Sequence, residues 1–118
     1  VNFVETILQR LLGIEGVTGA LLVGKDGLVV ASTMEGDDEE FLAAMAAASY
    51  DSAGRYIAQL GIGDVRHAIY ETATGTVQVT DGGELLIVVR SNTAANMGRI
   101  RMECIQASLR LSEQIGSY

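Results

Sequence analysis

Apolar residues recur along this chain with two periods, and the switches between them divide it into eight elements. Phe3, Val4, Ile7, Leu8 and Leu11 return at helical spacing, which predicts an amphipathic helix over residues 2–12 ended by Gly13. Two strand-like runs follow, Thr18–Val23 and Leu28–Thr33, and Met34-Glu35-Gly36 makes a short loop. The longest helix is expected over residues 38–60, with Asp37 as N-cap and Glu40 three places on in a capping-box arrangement. It carries two apolar stripes, Phe41, Met45, Ala48, Ser52, Tyr56 and Leu42, Ala46, Tyr50, Ala53, Ile57, Leu60, which predicts cover on more than one side. Its middle, Ala43–Ala48, has small side chains that admit a second backbone, and alanine is also simply a good helix former. Gly61-Ile62-Gly63 ends it.

Three further strands are predicted at Arg66–Thr72, Thr76–Thr80 and Glu84–Arg90, joined by turns at Thr74-Gly75 and Asp81-Gly82-Gly83. A last helix runs over residues 94–115, capped by Thr93 or Ser91, with Met97, Ile100, Cys104, Ala107, Leu111 and Ile115 on one face. The first and fifth strands are apolar without alternation, as strands buried on both faces are. Both then belong at the centre, and tight turns pair first with second, third with fourth and fourth with fifth. The result is an α/β fold of the α+β type: a three-layer α/β/α sandwich on an antiparallel five-stranded sheet in order 2-1-5-4-3. No sequence repeat or linker interrupts it, so one domain over residues 1–118 is expected.

The segment from Gly16 to Ser32 admits a second reading. Gly19, Gly24 and Lys25 have the spacing of a phosphate-binding loop, G-x-x-x-x-G-K-[ST]. Such a loop needs an irregular turn whose N–H groups face phosphate, and a helix after it. Here Ala20-Leu21-Leu22-Val23 lies between the glycines, Asp26 replaces the magnesium-binding hydroxyl, and Gly27-Leu28-Val29-Val30 follows as strand. Asp-Gly between apolar runs is the signature of a hairpin, and a hairpin is the expected structure.

Composition narrows the function. The chain has 118 residues, 48% of them hydrophobic, and a formal charge of −7, with eight Lys+Arg against fifteen Asp+Glu. A core is expected and nucleic-acid binding is not, since that needs a basic surface. No apolar run reaches the ~18 residues of a membrane span. A single cysteine, Cys104, fits a reducing cytoplasm and excludes an internal disulfide. The opening residues show no leader pattern, though a start at Val1 also fits a trimmed chain. Candidate chemistry is sparse. His67 is the one histidine and sits on a strand, Cys104 lies on an apolar stripe, and no spacing resembles a metal site. Asp37, Asp38, Glu39 and Glu40 read as a solvated helix start, and Asp51, Ser52 and Arg55 converge with no base or nucleophile. Arg99 and Arg101 read as surface charge. No cofactor and no metal are expected.

The element order, the opening Gly16–Val23, the hairpin Asp26–Ala31 and the strand Leu85–Val89 together resemble the roadblock/dynein-light-chain domain family, and most of all its bacterial and archaeal MglB-like branch. The resemblance covers nearly the whole chain. It implies a dimer built from the third strand and the long helix, which agrees with the third strand's polar, edge-like composition. It also implies a regulator or scaffold beside a small Ras-like GTPase, in some members accelerating hydrolysis by reshaping switch loops without an arginine finger. No residue motif marks that partner surface. The candidate interface residues are therefore nominated by element: Ala46, Tyr50, Ala53 and Ile57 on the long helix, His67 and Ile69 on the third strand. Three other readings stand beside it: a structural light chain with no GTPase partner, a small-ligand sensor, and an enzyme of unknown class.

Overall fold

The computed structural model describes residues 2–34, 36 and 38–116, without the side chains of 115 and 116. The elements are α1 (Phe3–Leu12), β1 (Val17–Gly24), β2 (Val29–Ser32), α2 (Glu39–Gln59), β3 (His67–Glu71), β4 (Gly75–Asp81), β5 (Leu85–Asn92) and α3 (Met97–Gly116). The five strands form one antiparallel sheet in the order β2-β1-β5-β4-β3, as the hydrophobic pattern predicts.

The unbroken apolar runs are explained by two cores on opposite faces of the sheet. Ala20 and Leu22 of β1 and Ile87 and Val89 of β5 point to one side, where α1 and α3 cover them. Leu21, Val23, Leu86 and Val88 point to the other, where α2 lies. Strand parity forces this division, because successive side chains alternate faces.

The β1–β2 connection is a tight turn. The Gly24 N–H donates to the Leu28 carbonyl and the Gly27 N–H to the Gly24 carbonyl, the Asp26 carboxylate accepts from the Leu28 N–H at 3.1 Å, and Gly27 has φ of +90°. Only glycine takes that φ without strain. Lys25 turns away to the Asp81 carboxylate at 2.9 Å. The segment with phosphate-loop spacing is thus a hairpin.

The two sheet edges differ. β2 is short, and its register against β1 jumps from Ala31 opposite Leu22 to Val29 opposite Val23, which leaves Val30 as an unpaired bulge. β3 pairs regularly with β4 over five consecutive residues, His67 to Glu71, and among the described residues no strand pairs with its outer edge.

α1 is capped by Asn2, whose side chain accepts from the Glu5 N–H at 2.8 Å, and it buries Ile7, Leu8 and Leu11. α2 is capped by Asp38, which accepts from Phe41 N–H at 3.3 Å; the expected cap, Asp37, lies outside the described residues. α3 begins later than its pattern predicts. Ser91 is a buried residue of β5, residues 92–95 form a turn, and the Asn96 side chain caps α3 by accepting from Arg99 N–H at 3.0 Å. The polar run Ser91-Asn92-Thr93 precedes three more residues, so several side chains compete for the cap, and β5 consumes the first two of them. Ile100, Cys104, Ala107 and Leu111 are buried as expected; the Ile115 side chain lies outside the described residues. Among the described residues no helix is long and apolar enough to cross a membrane.

Candidate interface

α2 touches its own sheet sparingly. Of its 21 residues only Ala43 and Ala47 are buried, and they rest over β1 and β2. The small side chains let the helix lie close to the hairpin at Gly27, where an added Cβ would sit 3.5 Å from the Ala44 Cα. Most larger apolar side chains of α2 are left uncovered: Phe41 is 58% exposed, Met45 50% and Tyr56 67%, with Leu60 and Ile62 exposed beyond the helix end. An isolated amphipathic helix on a sheet buries its large residues. Here the small ones are buried and the large ones face out.

Because α2 sits over β1 and β2, the β4–β3 half of that sheet face has no helix above it among the described residues. Val77, Val79 and Tyr70 there border an open, mostly apolar cleft of about 390 Å³, with Met34, Met45 and Ala46 on its other side. The cleft runs to the free edge of β3. Single exposed apolar residues are ordinary on a protein surface, but a contiguous group continuing into a cleft marks an interaction site.

A polar network fixes the other flank of α2. The Tyr50 hydroxyl sits between the Asp81 carboxylate, at 2.7 Å, and the Val65 carbonyl, and Lys25 completes the group. Burial first, then the neighbouring carboxylate, raise the Tyr50 phenol well above its ordinary value, so it remains a donor. Burial pushes the Asp81 carboxyl up, but hydrogen bonds from Lys25, Tyr50 and the Gly83 N–H outweigh it and hold the group below its ordinary value. This network ties α2 to the β4–β5 turn and to the segment entering β3.

The nominated residues divide between the two faces. Ala46 and Tyr50 pack against the core under α2, and Ala53 and Ile57 continue the same stripe half-buried. His67 and Ile69 are on β3 but point to the opposite face, the one covered by α1 and α3. The register decides this, since His67 pairs with Thr80 and Ile69 with Gln78, across from Val77 and Val79 in parity. His67 is engaged in its own chain: Nδ1 lies 2.7 Å from the Thr80 hydroxyl and Nε2 2.8 Å from the Gln78 carboxamide oxygen, while the Gln78 amide donates to the Met97 carbonyl at 3.2 Å. Burial chiefly, with Arg101 assisting, lowers the imidazole pKa against the opposing pull of Gln78. With the Gln78 oxygen facing it, Nε2 is the donor and Nδ1 the acceptor. Tyr70 and Val77, cross-strand partners on the α2 side, join the cleft without having been nominated. Their alternation with His67 and Gln78 is the sequence signal that finds them. Among the described residues no three His, Cys, Asp or Glu side chains are grouped to hold a metal ion. Cys104 is buried and its thiol is pushed up to about 11, chiefly by that burial.

The sequence profile of the Roadblock/LC7 domain matches residues 3–91, from α1 through β5. The chain belongs to the Roadblock/LC7 domain family. Known proteins resemble it in sequence and in structure. The uncharacterized protein MJ0310 of Methanocaldococcus jannaschii is 36% identical over 106 residues, 89% of this chain and 93% of that one. MglB of Myxococcus xanthus superposes with a TM-score of 0.90 at 21% identity, covering all of both chains. A Roadblock/LC7 domain from Streptomyces avermitilis superposes with a TM-score of 0.82 at 22% identity, over 94% of this chain and 92% of that one. The roadblock fold thus accounts for the strand order, and α3 extends beyond the part matched by the profile.

Proposed function

We propose that this roadblock domain acts as a dimer that binds a small Ras-like GTPase and modulates its nucleotide cycle or its localisation, with no active site of its own. The observation that carries the reading is the half-covered sheet face: an apolar cleft, an exposed apolar flank of α2 and a regular, open β3 edge lie side by side. A second copy related by a twofold axis would continue the sheet through β3 and bring a second α2 over the cleft. Ala46, Tyr50, Ala53 and Ile57 would then line the helical contact. His67 and Ile69 would border the strand contact from the other face, where His67 stiffens the edge through Thr80 and Gln78.

The GTPase reading follows from family membership and its MglB-like character. It is supported by acidic groups around α2, where Asp38, Glu40, Asp51 and Asp64 are exposed and outnumber Arg55, which is paired to Asp51 at 3.0 Å, and Arg66. Such a surface steers association with a basic partner. A regulator of this kind works by differential affinity for two switch conformations and shifts their populations.

Two measurements test the reading in order. Light scattering at micromolar concentration is expected to give twice the chain mass, and a monomer overturns the dimer. Capture of a co-encoded Ras-like GTPase, loaded with GDP or a GTP analogue, is expected to differ between the two states. Equal failure in both states removes the GTPase and leaves a light-chain scaffold.

A further inference from the structure

β3 carries its unpaired backbone groups on alternate residues. The Asp81 N–H donates to the Arg66 carbonyl and the Thr72 N–H to the Gly75 carbonyl, so the even-numbered residues of this strand bond inward to β4. In an antiparallel ladder the residues between them direct both N–H and C=O the other way. His67, Ile69 and Glu71 therefore present theirs to the open edge. The row ends there. The Val65 carbonyl, next before it, accepts from the Tyr50 hydroxyl, and Ala73, next after it, lies in the β3–β4 turn.

Such an edge takes an extended strand, and symmetry limits the registers in which a second copy fits. A twofold axis perpendicular to the sheet can lie at Ile69 or one residue to either side. At Ile69 it sets His67 against the partner's Glu71, Ile69 against the partner's Ile69 and Glu71 against the partner's His67. All three outward residues then pair, each pair exchanging two hydrogen bonds. With the axis at Ala68, Glu71 faces the partner's Val65, whose carbonyl is already taken. With the axis at Tyr70, His67 faces the partner's Ala73, which has left the strand.

The side chains favour the same register. On the α1–α3 face the partner's Glu71 meets His67, beside which α3 places Arg101, whose charge reaches the imidazole. The remaining charges next to the strand, Arg66 and Asp64, come opposite the partner's Thr72 and Thr74, so no like charges are opposed. On the α2 face Tyr70, which borders the apolar cleft, stands against the partner's Ala68, a large side chain against a small one. The other two registers oppose Ala68 or Tyr70 to itself. We infer that the β3 edge pairs with a second copy of this chain in one register, with the twofold axis at Ile69, His67 and Glu71 paired reciprocally, and Tyr70 covering the partner's Ala68. This register rests on the dimer proposed above and specifies its partner, because the edge is complementary to itself.

The test combines the mass of the native chain by light scattering with oxidative cross-linking of cysteine variants, Cys104 being buried and serving as background. Ile69→Cys is expected to link to its own copy, since paired Cα atoms across such a ladder stand about 5.5 Å apart, within reach of a disulfide. Ala68→Cys and Tyr70→Cys are expected to stay unlinked alone and to link when mixed. Glu71→Lys, which sets a lysine beside the partner's Arg101 at two symmetric places, is expected to raise the dimer Kd about tenfold. Ile69, Tyr70 and Glu71 are exposed, so circular dichroism of their variants should match the native chain. Self-linking of Ala68→Cys or Tyr70→Cys, no linking of Ile69→Cys while the native chain is dimeric, or an unchanged Kd for Glu71→Lys overturns the register and leaves the dimer standing. A monomeric native chain overturns the dimer and the register with it.

Discussion

Replacing Tyr50 by phenylalanine removes one oxygen from the network that holds the second half of α2. The Tyr50 O–H lies 2.7 Å from the Asp81 carboxylate, in a half-buried setting. A hydrogen bond to a charged acceptor contributes about 1.5–3 kcal/mol when well buried. Partial exposure of Asp81 and its retained bonds to Lys25 and Gly83 place the expected loss lower, at about 1–2 kcal/mol. The loss should depend on pH with a definite sign. The Asp81 carboxyl is depressed on folding, so its contribution is full above the unfolded value near ~3.9 and disappears as pH falls through the folded value. Below that, Tyr50 faces a neutral acid, and the difference between wild type and Tyr50→Phe should shrink to about 0.5–1 kcal/mol. Urea unfolding of wild type, Tyr50→Phe, Asp81→Asn and the double variant at one fixed protein concentration, at neutral and acid pH, gives the coupling directly. A loss that does not change with pH, or a coupling of zero at neutral pH, refutes the proposed role of the network.

Other outcomes follow from the core and turns. Leu22→Ala, at a fully buried position of β1 facing α1 and α3, should cost about 3–4 kcal/mol in urea unfolding. Gly75→Ala should destabilise by about 2 kcal/mol or more, because a Cβ there would stand 2.3 Å from the Ser91 carbonyl oxygen across β4 and β5; amide exchange in that strand pair should rise with it. Cys104 should react with a thiol reagent only as fast as the chain opens, since its thiol is buried and pushed up to about 11. Rapid labelling of the native chain at neutral pH would contradict the packing of α3.

The sheet order was legible because Ala20–Val23 and Leu86–Val89 are apolar at every position, and only strands covered on both faces tolerate that. The hairpin was legible because Asp26-Gly27 carries its own backbone requirement. The start of α3 was less so, since propensity alone does not say how far β5 extends, and pairing of Ser91 and Asn92 with Thr76 and Gly75 draws them into the strand. The stripes of α2 were visible as apolar, but which stripe its own sheet covers depends on the sideways position of the helix, a property of packing. Placing His67 and Ile69 relative to α2 needed the β3–β4 register, because a shift of one residue exchanges the faces.

The bulge at Val30 has a consequence for assembly size. A sheet with two regular edges can add strands at both ends, so that copies joined head to tail build an open filament. Here Val30 breaks the ladder on β2, and a bulged edge pairs poorly with an incoming strand. The chain is left with a strand-pairing valence of one, on β3. In the dimer proposed above, edge pairing would then stop at two, and straightening β2 by deleting Val30 would turn that pair into a polymer.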